Sequence, residues 1–218
     1  MRYGYTVLCP QLHLPRFYRE TVAGLELIRA ELPRENSRTL TRCAAVMERY
    51  GVKRMLEGRL PGYATVPTAD LWQAHSSALA LRLLASRNLP PERAVVALSA
   101  THVNRRVLTA TEELSDQVWA VALEIPHASW LELWLQQRNG VPVLRSGGDL
   151  TLCFSPGITK EGAVELGARQ PQVPGWGLEA KGVEVPQGCP VEPVLSLLVE
   201  GGALTESEIE VVSVGLSR

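Results

Sequence analysis

The sequence predicts an α/β protein organised on a wound, mostly parallel sheet flanked by helices. Three observations carry that expectation. Val95-Val96-Ala97-Leu98, Val118 to Leu123 and Leu150 to Phe154 are continuous apolar runs, and strands covered by helices on both faces need no polar alternation. Segments of helical period lie between them: Val107, Leu108, Thr111 and Leu114 share one face of 104–115. Turn residues mark each change of character, as at Asn139-Gly140.

Taken in order, Tyr3 to Cys9 reads as a first strand ended by Pro10. Arg16 to Glu31 reads as a helix with Val22, Leu25, Leu27 and Ile28 as its apolar positions, stopped by Pro33. Ser37 to Tyr50 is a second helix, with Leu40, Ala44 and Met47 on one face and Gly51 as its stop. Val52 to Leu56 is a short strand whose charge suggests a sheet edge. After a loop with two prolines, Thr68 or Asp70 caps a long helix reaching about Ser86, with His75 beside its apolar face.

The central stretch, 92–155, is a β-α-β-α-β core. Asn104 is placed to cap its first helix. Ser129 and Glu132 fit a capping box for the second. Ser146-Gly147-Gly148-Asp149 reads as a hairpin turn between two strands. Residues 156–189 are rich in Pro and Gly and read as an irregular segment packed on the sheet. Pro190 to Val199 is a helix. Thr205 and Glu208 form a further capping box that opens a last helix (Ile209, Val212, Leu216), although Val211 to Val214 also allows a strand. The natural divisions are 1–91, 92–155 and 156–218, expected to be parts of one compact domain. The alternation resembles nucleotide-binding folds in general. This Rossmann-like likeness is one of fold and licenses no function.

Composition narrows the function classes. With 22 Lys plus Arg against 23 Asp plus Glu, no global field draws nucleic acid or an anionic membrane, and neither is expected as a partner. Cys9, Cys43, Cys153 and Cys189 are far apart and lack zinc-site spacing. A chain of this size needs no disulfide framework. No apolar run approaches the ~18 residues of a membrane span, and the first ten residues lack a signal peptide's apolar region. The expected location is the cytoplasm.

In open α/β sheets, ligands bind beyond the carboxyl ends of the strands. The loops Ser99 to Asn104, Glu124 to Ser129, Ser146 to Asp149 and Ser155 to Gly157 are therefore the ones that matter. The first reads Ser99-Ala100-Thr101-His102-Val103-Asn104 and has none of the glycines of a dinucleotide loop. Ser99, Asn104, Arg105, Arg106 and Glu124 are the candidate ligand-binding residues. Arg105 and Arg106 sit at a helix N-terminus, which favours anions. Glu124 stands where an acid would hold a ribose hydroxyl. His102 and His127, at neighbouring strand ends, are candidate general acid–base residues, and with Glu124 they would make three potential metal ligands. No metal site is expected from spacing, and the sequence names no cofactor. Pro156 directly after Ser155 does not suit a nucleophile elbow.

The segment 129–138, with Trp130 and Trp134, is apolar nearly all round. That surplus must be covered by 156–189 or by another subunit, so a homo-oligomer through this helix is expected. The leading expectation is a binding or regulatory module that self-associates. The alternative is an enzyme acting on a small anionic substrate or nucleotide, including a degenerate NAD(P)-dependent oxidoreductase.

Overall fold

The computed structural model of the protein describes residues 1–214, residue 139 by its backbone alone. The elements are β1 (Arg2–Leu8), β2 (Arg16–Val22), β3 (Leu25–Leu32), α1 (Ser37–Arg49), β4 (Val52–Met55), β5 (Ala64–Thr65), α2 (Ala69–Ala74), α3 (Ser76–Ser86), β6 (Val95–Ser99), α4 (Arg105–Ser115), β7 (Ala120–Glu124), α5 (Ser129–Asn139), β8 (Val143–Leu144), β9 (Leu150–Cys153), β10 (Val164–Glu165), β11 (Trp176–Ala180), α6 (Val191–Glu200) and β12 (Ile209–Ser213). Contacts divide them into two compact units, Met1–Pro67 with Leu178–Glu210, and Thr68–Gly177 with the chain from Val211. The divisions at 91 and 155 follow composition, and the contacts divide the chain elsewhere. The fold class is α/β and Rossmann-like: an all-parallel sheet and a mixed sheet, both with helices packed on them.

The second unit holds the parallel sheet, in the order β10-β9-β6-β7-β8. Val96, Ala97 and Leu98 of β6 and Ala120, Val121 and Ala122 of β7 are each fully buried. Consecutive buried residues point to opposite faces of a strand, so both faces are covered, as the unbroken apolar runs require. Asn104 caps α4 as expected, its side chain accepting from the Val107 N–H at 2.9 Å.

Three expectations in this unit need correction. The long helix from residue 68 to 86 breaks at His75 (φ −103°, ψ 14°) into α2 and α3. Side chains compete with the helix ladder there, with His75 Nδ1 at 2.9 Å from the Leu71 carbonyl and the Ser76 hydroxyl donating to the Gln73 carbonyl. Ala128, not Ser129, stands at the N-cap of α5, and no side chain caps it, so the Ser129–Glu132 box is not formed. Gly140, left-handed at φ 65°, does end α5. Finally, 145–149 is no hairpin. It carries the chain from β8 to β9, and β7 and β6 lie between those two strands. Asp149 anchors the crossing, its carboxylate accepting from the Val95 N–H at 2.8 Å.

The first unit holds a sheet in the order β2-β3-β1-β4-β5, parallel except between β2 and β3. The expected helix at 16–31 is the β2–β3 hairpin. Its apolar residues fit a helical period by accident, whereas their partners decide the outcome: β3 pairs through Glu26–Leu32 with β1 on one side and through Leu25–Glu31 with β2 on the other. Ala23 and Gly24, at φ 44° and 87°, close the hairpin in the left-handed region that a two-residue turn uses to match strand twist. One face of β3 (Ile28, Ala30, Leu32) packs with Cys43 and Met47 of α1, Val52 and Met55 of β4, and Leu60. β4 is not an edge, because β5 covers it. Gly4 makes this packing possible: a Cβ there would lie 2.8 Å from Met55 Sδ.

The other face carries Tyr5, whose hydroxyl donates to Glu20. The Arg29 guanidinium, paired with Tyr5 in register, reaches Glu31 at 2.7 Å and Glu20 at 3.6 Å. Residues 178–210 supply a cover to this unit: Gly188 packs against Val7, and Val194, Leu195, Leu197 and Leu198 of α6 are buried. The capping box of Thr205 and Glu208 is present, but it opens a 3-10 turn (Glu206–Glu208) rather than a helix. The chain then enters β12, which forms a two-stranded ribbon with β11. Thus α6 is the one C-terminal helix among the described residues, and Leu216 lies outside them.

Candidate functional site

The site grows from the strand order of the parallel sheet. From β6 the chain winds through α4 to β7 and through α5 to β8, all on one side. It then returns to place β9 on the other side of β6. The winding reverses between β6 and β9, and such a reversal is where the connecting loops part and leave a crevice at the carboxyl edge.

A short polar chain lies at that point. Beyond β9, the hydroxyl of buried Ser155 accepts from the Thr101 N–H at 2.9 Å, and it lies 3.0 Å from the Thr101 hydroxyl. Thr101 Oγ1 in turn lies 3.0 Å from His102 Nδ1. With Nδ1 as acceptor, the imidazole proton sits on Nε2 and remains available to donate from an exposed ring. The Phe154 N–H donates to the Ser99 carbonyl at 2.9 Å, so the tips of β6 and β9 are held together. Gly167 presses on this corner. A Cβ there would stand 2.2 Å from the Ser155 carbonyl carbon, so no other residue fits without backbone movement. From below, Gln73 donates through Nε2 to the Phe154 and Leu166 carbonyls at 3.0 and 3.1 Å.

The residues selected from the sequence fall around this corner. Ser99 is buried, the last residue of β6, opposite both Glu124 and Cys153 in register. Asn104 spends its side-chain oxygen on the α4 cap. Arg105 is exposed on the first turn of α4. Arg106 is engaged by Asp70 in a forked pair of 2.8 and 2.5 Å. The Arg106 hydrogen bond holds the Asp70 carboxyl below its usual range. Glu124, at the tip of β7, pairs with Lys160 and accepts from the Gly147 N–H at 3.4 Å. His127 is exposed in the turn before α5, with a left-handed φ of 59°. β6 and β7 are neighbours, so the loops bearing His102 and His127 leave adjacent strand tips. Among the described residues, no three His, Cys, Asp or Glu side chains are grouped to hold a metal ion, so His102, Glu124 and His127 do not form a ligand set.

Thr101 and Lys160 are not singled out by the sequence, and Ser155 is marked only as the start of a strand-end loop. Ser155 carried a signal, since it directly follows a buried strand. Pro156 makes it unsuited to a nucleophile elbow, but leaves its hydroxyl free to accept from the Thr101 N–H. Two open clefts of about 420 Å³ are lined by other residues than the candidates above. One, in the first unit, is lined by Ala44, Glu48, Lys53 and Tyr63 among others; one, in the second, by Leu83, Val164, Glu165, Gln170 and Gln172 among others.

On α5, Leu131 and Leu135 are fully buried, while Trp130 and Leu133 are 53% and 59% exposed. The Arg138 guanidinium lies over the Trp134 ring at 5.0 Å. The segment 156–189 therefore leaves much of the apolar surplus uncovered. All four cysteines are free thiols. Among the described residues, no helix is long and apolar enough to cross a membrane. No protein-family model matches the sequence, and no curated protein matches it.

Proposed function

We propose that this protein is a binding module that takes a small anionic ligand at the carboxyl edge of its parallel sheet. The observation that carries this reading is the reversal of winding between β6 and β9, with His102, exposed Arg105 and the N-terminal end of α4 grouped beside it. A helix N-terminus presents N–H groups and the positive end of its dipole to an anion. Arg106 is excluded as the principal clamp, because the forked pair with Asp70 already occupies it. Arg105 has no such fork and is the residue we assign to the anion.

One observation favours an enzyme as the second reading. The His102 imidazole rests on the Thr101 hydroxyl, a contact of the kind that lets a ring relay a proton. A degenerate dinucleotide site, by contrast, would need Glu124 to give up both Lys160 and the Gly147 N–H before it could hold a ribose. Self-association through α5 fits the exposed Trp130 and Leu133. Four free thiols suit a reducing compartment such as the cytoplasm.

Thermal unfolding with mononucleotides, dinucleotides, coenzyme A and simple anions tests the ligand. Near-saturating ligand, at about 100 times its dissociation constant, stabilises by about 2.7 kcal/mol. That corresponds to a midpoint rise of several degrees, at roughly 2–4 °C per kcal/mol. We expect a rise with one anionic class and its loss in Arg105→Ala. A flat response across the anions would sink the anion reading. Light scattering at micromolar protein tests the dimer, and a monomer mass there would remove it.

A further inference from the structure

The chain between β9 and β10 takes a route that the strand order does not require. The two strands are neighbours, with Val164 opposite Leu152, so about 5 Å separates them. Residues 154–163 go the other way first. Ser155 is tied to Thr101, just beyond β6, and Lys160 pairs with Glu124 at the tip of β7. Two strand spacings, about 10 Å, lie between β9 and β7. The segment 156–162 therefore crosses the end of β6 as a strap and comes back to form β10.

The strap is hinged and lightly held. Gly157 and Gly162 bracket it at φ 80° and 73°. Turns mark its two ends, the Ile158 N–H donating to the Ser155 carbonyl at 3.4 Å and the Ala163 N–H to the Lys160 carbonyl at 3.1 Å. Thr159, Lys160 and Glu161 are exposed, and Ile158 is half-buried. The Lys160 side chain is 42% exposed and that of Glu124 only 14%. Water reaches the ammonium and screens the pair from the lysine side, and the carboxylate keeps the Gly147 N–H as a donor when Lys160 leaves. Burial pushes the Cys153 thiol up and the Lys160 charge opposes that rise, which fits an ammonium held above the β9 tip.

We infer that 156–162 is a lid over the anion site, opened by parting Lys160 from Glu124, and that Lys160 then re-pairs with the anionic group of the entering ligand. The inference rests on the reading of the carboxyl edge as an anion site and deepens it by naming a second cation and a gate. One ammonium cannot serve a carboxylate and a ligand phosphate equally well, so Glu124 acts as an internal competitor. Removing it should strengthen binding, whereas removing an ordinary supporting residue would weaken it. That opposite sign separates a latch from a scaffold.

The experiment has two arms. Without ligand, hydrogen exchange of the whole chain compares the protein with Glu124→Gln. Faster exchange, about tenfold, confined to the peptides of 156–163 is expected for a released latch; unchanged exchange there overturns it. Inorganic pyrophosphate is then titrated by calorimetry into the protein, Glu124→Gln and Lys160→Met. The gate predicts roughly threefold tighter binding by Glu124→Gln, as expected when a closed form no longer withholds the site, and weaker binding by Lys160→Met. Pyrophosphate binding that is equal in all three leaves the anion site standing and overturns the gate. Absence of binding in all three overturns the anion site and the exchange of Lys160 with it.

Discussion

The two sheets handle their polar groups in opposite ways. On the first unit's sheet the charged residues close on one another: Tyr5 donates to Glu20, Arg29 lies between Glu20 and Glu31, and Tyr5 is fully buried. In the second unit the central strands β6 and β7 are apolar up to their last residues, and polar residues gather at the carboxyl tips, where Thr101, His102, Arg105 and Lys160 are exposed. A polar group beneath a covered face must find its partners within the protein. One at a strand tip keeps part of its capacity for a ligand. The first network is therefore read as architecture and the second as a site. The aromatic residues divide in the same way, with all five tyrosines in the first unit and all five tryptophans in the second. Selective excitation of tryptophan thus follows the second unit alone.

The largest test of this contrast concerns glycine. Gly167→Ala forces a Cβ onto the Ser155 backbone, and we expect a loss of about 3 kcal/mol, or failure to fold. Gly4→Ala meets the flexible thioethers of Met55 and Met47 and the stiffer Val52 side chain, and no backbone, so about 1–2 kcal/mol is expected. Urea midpoints followed by tryptophan fluorescence and far-UV dichroism rank the two, and the reverse ranking would mean that the β9 corner is softer than described.

Opposite limbs of the pH profile come next. In the first unit burial, with the Glu20 hydrogen bond second, raises the Tyr5 hydroxyl. Burial pushes the Cys189 thiol up to about 12 and the Cys43 thiol up to about 11. Groups whose folded values are raised give stability that is whole below their unfolded values and is lost as pH rises. The first unit should weaken progressively above pH 9.0, the ordinary thiol value. Cys153 adds a smaller effect of the same sign to the second unit. Asp70 works the other way. Its depressed carboxyl contributes above the ordinary value of 3.8 and loses that contribution as pH falls through the lower folded value. Arg106→Gln should flatten the acid limb seen by tryptophan, and Tyr5→Phe the alkaline limb seen by dichroism.

Single hydrogen-bond deletions sharpen the distinction between closed and open networks. Tyr5→Phe leaves a charged acceptor short of a buried donor and should cost about 2 kcal/mol. Ser155→Ala strands the Thr101 N–H, but Thr101 is exposed and water can replace the hydroxyl. About 1 kcal/mol is expected there. Equal costs, measured by chemical denaturation, would blur the line between architecture and site.

The smallest effects are gains at left-handed residues. Ala23→Gly should stabilise the hairpin turn by about 1 kcal/mol, since alanine resists positive φ. His127→Gly should gain about 0.5 kcal/mol, histidine being more tolerant there. Calorimetric midpoints measure both.

What the sequence reveals follows the same division. The parallel core is legible because double burial writes itself as unbroken apolar runs, and Asn104 is legible because a cap is a local event. The β2–β3 hairpin is not, since Val22, Leu25, Leu27 and Ile28 satisfy a helical period and only pairing with β1, itself distant in sequence, overrules it. Glu124 is legible as a strand-tip acid, but its partner Lys160 lies 36 positions away in a segment whose path composition does not reveal. Ser155 shows the limit of motif logic: tested as a nucleophile it fails, and its value as an acceptor depends on Thr101 arriving beside it.

The division of the chain also sets a timetable. Residues 68–177 of the second unit emerge from the ribosome as one block, whereas the first unit begins with Met1–Pro67 and is completed only by Leu178–Glu210. About 110 residues intervene, on the order of ten seconds of synthesis. During that interval Gly188 is not yet present to pack on Val7, nor α6 to bring its apolar side chains to the unit. The nascent β1–β3 sheet must wait with part of its surface uncovered until 178–210 arrive. A holding chaperone would find its substrate in that window, and slowing translation past residue 67 should lower the yield of soluble protein.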